Sequence, residues 1–346
     1  MSPERPAGNA LAEASVTAVV VTFNRRELLA EALTALDGQR RRPDRVIVVD
    51  NASQDGTAAM VGERFPDVDL LELPRNIGGA GGFSAGIAHA LAAAPELLWL
   101  LDDDTVPEPA ALRELLAARE RAAGADPAAG GRPTLLASRV VWTDGRDHPM
   151  NTPRAKPRAS SGERTAARAA GCVPIRSASF VSVLVDAAAV RERGLPVADY
   201  FLWNDDFEFT TRLLRGRRGL LCPDSVVVHK TKEFGGTDAD PGDRFFYEVR
   251  NKIWLFTGSR GLAPQERVLY AGSTLRRWAR TFAASSDRTV LRRAMARGLK
   301  EGLFSRPRPT DALLREAGVQ RDAEVRRDAE VRREAEVRRR PDIGAP

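Results

Sequence analysis

The sequence predicts an α/β protein built on a doubly wound, mostly parallel sheet. Two observations carry that reading. Short apolar runs alternate with helical patterns from residue 16 to about residue 104, the order that gives parallel strands joined by helices. Each run is continuous in its apolar residues, as in strands covered on both faces.

The elements follow in order. Val16–Thr22 (VTAVVVT) is a β-branched run that stops at Phe23-Asn24-Arg25-Arg26, and Glu27–Leu36 then repeats its apolar residues at helical spacing. Arg45–Asp50 (RVIVVD) is a second buried strand, ending in Asp50-Asn51-Ala52-Ser53; a helix runs from Asp55-Gly56-Thr57 to about Arg64. Val68–Leu73 is a weaker third strand, and Gly81–Ala94 an alanine-rich helix. Leu97–Leu101 is the most apolar strand, and it runs straight into Asp102, Asp103 and Asp104. After the helix Pro107–Ala122, Thr134–Trp142 reads as a strand and Thr143–Arg176 as a polar insertion, either a mobile surface loop or a basic lid over a substrate phosphate. Ser179–Val185 resumes the sheet, and Asp186–Arg193 is a short helix. Tyr200–Arg215 (YFLWNDDFEFTTRLLR) leads into another helix; Gly219–Cys222 and Val226–Val228 are two short strands, the second stopping at His229. Asp243–Phe256 is an amphipathic helix carrying Arg250, Asn251 and Lys252.

Four segments result: a disordered leader at 1–15, the α/β domain at 16–258, a basic helical extension at 259–306 and a charged tail at 307–346. The extension carries eleven Lys/Arg against three Asp/Glu over 260–306, a composition suited to an anionic bilayer surface or to a solvated helical appendage. The tail repeats DAEVRR, DAEVRR, EAEVRR from Asp322 to Arg339. A six-residue period advances about 600° on a helix, so its valines fall on different sides and form no seam.

At 346 residues and 43% hydrophobic content, the chain can bury a sizeable core; its net charge is +6. That charge alone selects no partner. Cys172 and Cys222 are the only cysteines, which excludes a disulfide framework and leaves reduced thiols as the expectation. No run of 18 apolar residues occurs, so no transmembrane helix is expected, and residues 1–15 lack the apolar centre of a signal peptide. The expectation is a cytoplasmic protein, peripheral on the inner face of the plasma membrane if 260–306 meets lipid.

In such a sheet, functional residues collect at the carboxyl ends of strands. Thr22/Asn24, Asp50/Asn51 and Asp102–Asp104 each follow an apolar run directly. Asp102 and Asp104 are two apart and point the same way on an extended chain, a donor pair for Mg²⁺ or Mn²⁺. Taken locally, the acids are equally a strand followed by a capping turn. Pro74–Ser84 holds glycines at 78, 79, 81 and 82 before a helix; this is a flexible loop or an anion site. Asp205, Asp206 and Glu208 suit a helix amino terminus by charge. Phe201, Leu202 and Trp203 before them imply a partly buried site, where desolvation raises a carboxyl pKa toward that of a general base. A lone histidine such as His229 is either structural or a ligand.

VVVTFNR, VIVVDNAS, PRNIGGAGGFSAG and LLWLLDDDT, in that order, resemble the family 2 glycosyltransferases of GT-A fold. NIGGAGGF, DGRDHPMN (Asp144–Asn151) and FLWNDDFEFTTRL resemble more narrowly the bacterial galactofuranosyl- and rhamnosyltransferases of cell-envelope glycan synthesis. The resemblance covers about residues 16–258. It implies that Thr22, Asn24 and Asp50 hold base and ribose, that Asn76 and Gly78, Gly79 and Gly81 lie against the donor, and that Asp103 faces the nucleotide. It implies Asp102, Asp104 and His229 as ligands of Mn²⁺ or Mg²⁺. Asp206 matches the catalytic base, in a pair with Asp205 where the family has Glu-Asp, and Trp203 and Phe201 would carry the acceptor sugar. The implied reaction is inverting transfer from a UDP- or dTDP-linked sugar, galactofuranose or rhamnose, to a glycan or polyprenyl-linked acceptor. A sugar nucleotidyltransferase would need a Gly-rich basic loop after the first strand, and Phe23-Asn24-Arg25 is not one. A non-catalytic sugar-nucleotide-binding paralogue would have lost some of the acids. Nucleic acid is not an expected partner, because the basic residues lie away from the sheet's polar edge.

Overall fold

The computed structural model describes residues 14–125, 131–234 and 240–319. The leader as far as residue 13 and the repeats from Asp322 lie outside them. The first half alternates as the apolar runs dictate: β1 (Val16–Thr22), α1 (Arg26–Asp37), β2 (Arg45–Asp50), α2 (Thr57–Arg64), β3 (Asp69–Glu72), α3 (Gly78–Ala92) and β4 (Leu97–Asp102). There follow β5 (Thr105–Pro107), α4 (Ala111–Ala125), β6 (Leu135–Val141), β7 (Arg154–Ala155), α5 (Ser161–Ala169), β8 (Val173–Ser177), β9 (Ser182–Asp186), α6 (Ala187–Arg193), α7 (Asp205–Leu213) and β10 (Gly219–His229). Four helices end the described chain: α8 (Phe245–Gly258), α9 (Pro264–Ala284), α10 (Arg288–Phe304) and α11 (Thr310–Glu316).

The strands form one sheet in the order β3-β2-β1-β4-β9-β6-β10-β8-β7, with β5 paired to β10. β3, β2, β1 and β4 are mutually parallel; β9 runs against both β4 and β6, and β10 is parallel to β6. The carboxyl ends of β1, β4 and β10 therefore share one edge. Side chains alternate across the sheet. Val19, Val21, Leu98 and Leu100 face Phe83 and Ile87 of α3 and Phe209 of α7. Val20, Leu97, Trp99 and Leu101 face Leu29 and Leu33 of α1 and Leu112 and Leu115 of α4. Helices thus cover both faces, as the continuous apolar strands require.

Four expectations are corrected. The glycine run is no loop: Gly78–Gly82 form the opening turns of α3. The glycines serve close approach, since a Cβ at Gly82 would lie 2.5 Å from Val21 Cγ1 and one at Gly86 2.5 Å from Val19 Cγ1. The polar insertion is built too, carrying β7, α5 and β8. Ser160 caps α5 by accepting from Glu163 N at 3.1 Å, and the helix buries Ala166 and Ala167. Third, Gly219–His229 is one strand, its register with β6 shifting between Cys222 and Val226. The interruption that reads as a strand end, Pro223-Asp224, is a bulge. Finally, the segment after 307 is not all tail: α11 buries Leu313 and Leu314, and Leu314 joins the core beneath α3.

The C-terminal helices pack onto α8. Phe245, Phe246 and Val249 meet Trp278 of α9 and Leu291 and Ala294 of α10, and a Cβ at Gly298 would lie 2.8 Å from Phe246 O. Cys172 and Cys222 are buried free thiols with Sγ atoms 3.3 Å apart. Among the described residues no helix is long and apolar enough to cross a membrane.

Candidate active site

Where β1, β4 and β10 end, the sheet opens into a cleft of about 600 Å³ walled by the starts of α3 and α7 and by α8. Asp102, Asp104 and His229 meet there, one ligand atom of each lying within 4.8 Å of the others. His229 Nε2 is 2.9 Å from Asp104 Oδ1, yet that oxygen makes no aligned hydrogen bond, as expected of two donors turned toward a common centre. His229 Nδ1 lies 2.8 Å from Asn151 Oδ1, and Asn151 Nδ2 donates to Ser179 Oγ at 3.1 Å. That arrangement places the ring proton on Nδ1 and leaves the Nε2 lone pair facing the acids.

Three neighbouring carboxylates need positive charge, and Arg25 supplies part of it. Its Nη1 donates to Asp103 Oδ1 at 3.0 Å and to Asp104 Oδ2 at 2.6 Å. Burial works to raise all three acids. It prevails at Asp102, pushed up to about 7 with help from Asp104, and at Asp103, pushed up to about 6 against the pull of Arg25. At Asp104, His229 and Arg25 outweigh burial and hold the pKa below the usual value. Reciprocally, Asp104 and Asp102 raise His229 against its own burial. An oxygen-rich set with one imidazole, its outer face fixed by Asn151 and one acid still short of a cation, fits Mn²⁺ or Mg²⁺.

The other wall is the turn into α7. Phe201, Trp203 and Asn204 all have positive φ, at 62°, 65° and 66°, a conformation side chains resist. Asn251 on α8 holds the turn, its Nδ2 lying 2.9 Å from the carbonyl oxygens of Tyr200, Leu202 and Trp203. Gly78 fits beneath it: it has φ +75°, and a Cβ there would lie 2.2 Å from Phe201 O. The turn delivers Asp205 and Asp206 into the cleft as the first residues of α7. Burial raises both carboxyl pKa values, Asp205 strongly and with Asp206 adding to it. The third acid, Glu208, is occupied by Arg212 at 2.9 Å and Ser259 Oγ at 2.7 Å.

The family model described as Glycosyl transferase family 2 matches residues 17–176. The chain is 34% identical over 278 residues to galactofuranosyltransferase GlfT1 of Mycolicibacterium smegmatis, covering 72% of this chain and 86% of that protein. The chain belongs to glycosyl transferase family 2. It is equally similar, at 34% identity, to GlfT1 of Mycobacterium tuberculosis, over 73% of this chain and 86% of that one. Among solved structures, S. aureus TarS 1-349 in complex with UDP-GlcNAc matches with a TM-score of 0.54 and 16% identity, over 86% of this chain and 83% of that one. That likeness shows the GT-A fold.

In this glycosyltransferase the cleft brings together most of the residues that the sequence singles out. Thr22, Asn76, Gly78, Gly79, Asp102, Asp103, Asp104, Phe201, Trp203, Asp205, Asp206 and His229 all line it. Asn24, Asp50 and Gly81 do not. Asn24 ties two loops together, its Oδ1 accepting from Gln54 N at 2.7 Å and its N–H donating to Ser53 Oγ at 2.8 Å. Asp50 is turned into its own loop, accepting from Ser53 N at 2.9 Å. Gly81 faces Ile77 inside α3, where a Cβ would meet Cγ1 at 2.6 Å. Asp103 lines the cleft but is already engaged by Arg25, and Phe201 stacks on Tyr247 with ring centroids 5.3 Å apart. Asn51, at the end of β2, and Arg154, of the basic insertion, line the cleft as well, and Arg25, Asn151 and Lys252 line it without having been assigned a role from the sequence.

Proposed function

We propose that this glycosyltransferase moves galactofuranose from a UDP-linked donor to a glycan or polyprenyl-linked acceptor of the cell envelope by single, inverting displacement. The observation supporting it is that one cleft holds both a three-donor cation site and, at the start of α7, the buried acids Asp205 and Asp206. The choice of sugar rests on the resemblance to GlfT1. Asp102, Asp104 and His229 would hold Mn²⁺ or Mg²⁺, with Asn151 fixing the imidazole. The ion, when bound, neutralises charge developing on the departing diphosphate.

The protein's own part is orientation and proton transfer. Asp206, its pKa raised by burial, accepts the proton of the acceptor hydroxyl as that oxygen attacks the anomeric carbon. Asp205 beside it is raised further still, by burial and by the Asp206 charge, so that Asp206 is the member of the pair that ionises more readily. Trp203 offers the acceptor ring an apolar face, and the start of α3 at Gly78 and Gly79 gives the donor close access to backbone. The exposed side chains of Val268, Leu269, Leu275, Leu303 and Phe304 on α9 and α10, set among exposed arginines, would bring the enzyme to an anionic membrane surface.

The test is nucleoside diphosphate release from UDP-galactofuranose and dTDP-rhamnose with Mn²⁺, Mg²⁺ or a chelator present. Release from the first donor alone, abolished by chelator, is the expected result; preference for the second would exchange the sugar. Asp206→Asn is expected to lower turnover by about 10²- to 10⁴-fold with UDP affinity unchanged, and unaltered turnover would remove Asp206 from the role of base.

A further inference from the structure

Lys252 is buried in the cleft wall. It is 5% exposed, and among the described residues its ammonium makes neither a hydrogen bond nor an ion pair. Its Nζ lies over the Phe207 ring, 4.8 Å from the centroid. An unpaired buried ammonium is costly, so its retention here calls for an anion. Besides Arg25 by the acids, three arginines line the cleft with it: Arg154, Arg244 and Arg277. Arg154 on β7 lies over the rings of Phe207 and Tyr270, with Cζ at 5.3 Å and 5.7 Å from their centroids, and among the described residues pairs with no acid. Arg244, which caps the start of α8, and Lys252 on it lie eight residues apart, with Glu248 midway between them. Glu248 is fully used: it pairs with Arg277 of α9, accepts from Asn204 Nδ2 at 2.8 Å and from Trp278 Nε1 at 3.1 Å.

The cleft therefore has two poles. The acids at the end of β4 are balanced only in part, by Arg25, and suit the donor's diphosphate through a divalent cation. The wall of β7, α8 and α9 is basic in excess, and its field reaches Asp206, on which Lys252 and Arg154 are among the main electrostatic influences. An anion held there would sit on the side of the base, which is the side of the acceptor.

We infer that Arg154, Lys252 and Arg277 form a phosphate subsite for the acceptor, so that this enzyme selects a glycan carrying a phosphate or diphosphate over the neutral glycan. The inference rests on the transferase reading for what the acceptor is, but not for whether the wall binds phosphate.

Titration of the full chain with octyl phosphate, in the presence of saturating UDP and Mg²⁺, tests it. The native protein is expected to bind octyl phosphate alongside UDP and to ignore octanol. Lys252→Met is expected to weaken octyl phosphate at least tenfold and Lys252→Arg no more than about threefold, with UDP affinity equal in all three proteins. Methionine matches lysine in length and is at home in a buried wall, so the variant should fold; Arg154→Met, at an exposed position, provides a second reading in the same direction. Unchanged octyl phosphate affinity in both variants, absence of binding to the native chain, or displacement by UDP would overturn the subsite. A parallel fall in UDP affinity would assign these cations to the donor and overturn it equally. Failure of the native chain to bind UDP at all would defeat the transferase reading, and octyl phosphate alone would still decide the subsite.

Discussion

Lys252 makes a prediction that is independent of any ligand. Burial pushes its pKa down to about 8, with Arg277 and Arg154 adding to the fall and Glu248 and Asp206 opposing it. The unfolded chain holds the same proton to about 10.5. Below about pH 8 both states carry the charge, and its burial penalty is present in full. As pH rises through 8 the folded lysine loses its proton and the penalty is relieved, disappearing by the unfolded value. Lys252→Met should therefore unfold less readily than the native chain at pH 7, by roughly 2–3 kcal/mol, with the difference closing above pH 10. Denaturant titrations at the two pH values measure it. Asn151 carries a second expectation at this scale. Because its Oδ1 fixes the His229 ring, Asn151→Ala should raise the Mn²⁺ concentration for half-maximal activity about 10- to 100-fold, read by metal titration. The acids of this site are legible in the sequence because they stand at strand ends, where chemistry collects. Asn151 and Lys252 are not, since each gains its role only when the fold places it beside a residue some tens of positions away.

Among the elements, the turn between Tyr200 and Asp205 shows why local reading stops short. FLWNDDFEF announces an aromatic, acidic helix start, but nothing local announces three positive φ angles or the side chain that keeps them. Asn251, on a helix nearly fifty residues later, satisfies the turn's carbonyl oxygens. Asn251→Leu preserves bulk and removes those bonds. The turn should then relax toward unstrained backbone and carry Asp205 and Asp206 out of line. Turnover is expected to fall about 10²-fold, the scale of a small misplacement, with donor affinity little changed and stability reduced by about 1–3 kcal/mol. Steady-state kinetics beside UDP calorimetry separates these effects; equal losses of both would mean a general structural collapse. The strands of the first half are legible for the opposite reason. A continuous apolar run has one stable destination, the middle of a covered sheet, and β1, β2 and β4 lie there. The opening turn of α3 and the whole of α5 read as loop because glycine and alanine give weak signals. Their reason is close packing, of α3 on β1 and of α5 through Ala166 and Ala167, which appears only once the neighbouring elements are in place.

For the whole molecule, the C-terminal helices link the cleft to a surface. Their inner faces are not an appendage: α10 packs on α8 through Gly298, and α9 contributes Trp278 and Arg277 next to the cleft. Removing everything beyond residue 260 would therefore damage the site and could not report on membrane binding alone. Their outer faces are separable. Leu275 is 62% exposed on α9, and Leu303 and Phe304 are 63% and 86% exposed at the end of α10. Exposed arginines lie on the same two helices, among them Arg276, Arg280, Arg292 and Arg293. Apolar side chains amid cations are suited to the boundary between headgroups and acyl chains, where each basic residue near an anionic surface contributes about 1 kcal/mol and salt weakens the sum. The combined variant Leu303→Ser, Phe304→Ser touches no residue of the cleft and should fold and bind UDP as the native chain does. In sedimentation with vesicles containing phosphatidylserine, the native protein is expected to pellet at low salt and to be released at high salt, while the variant stays in the supernatant. If the variant pellets like the native chain, these helices do not carry the enzyme to lipid. An enzyme that met its acceptor at a bilayer would have its basic cleft wall and its apolar outer helices on one continuous structure, α8 through α10, so that docking and acceptor capture would be coupled by packing alone.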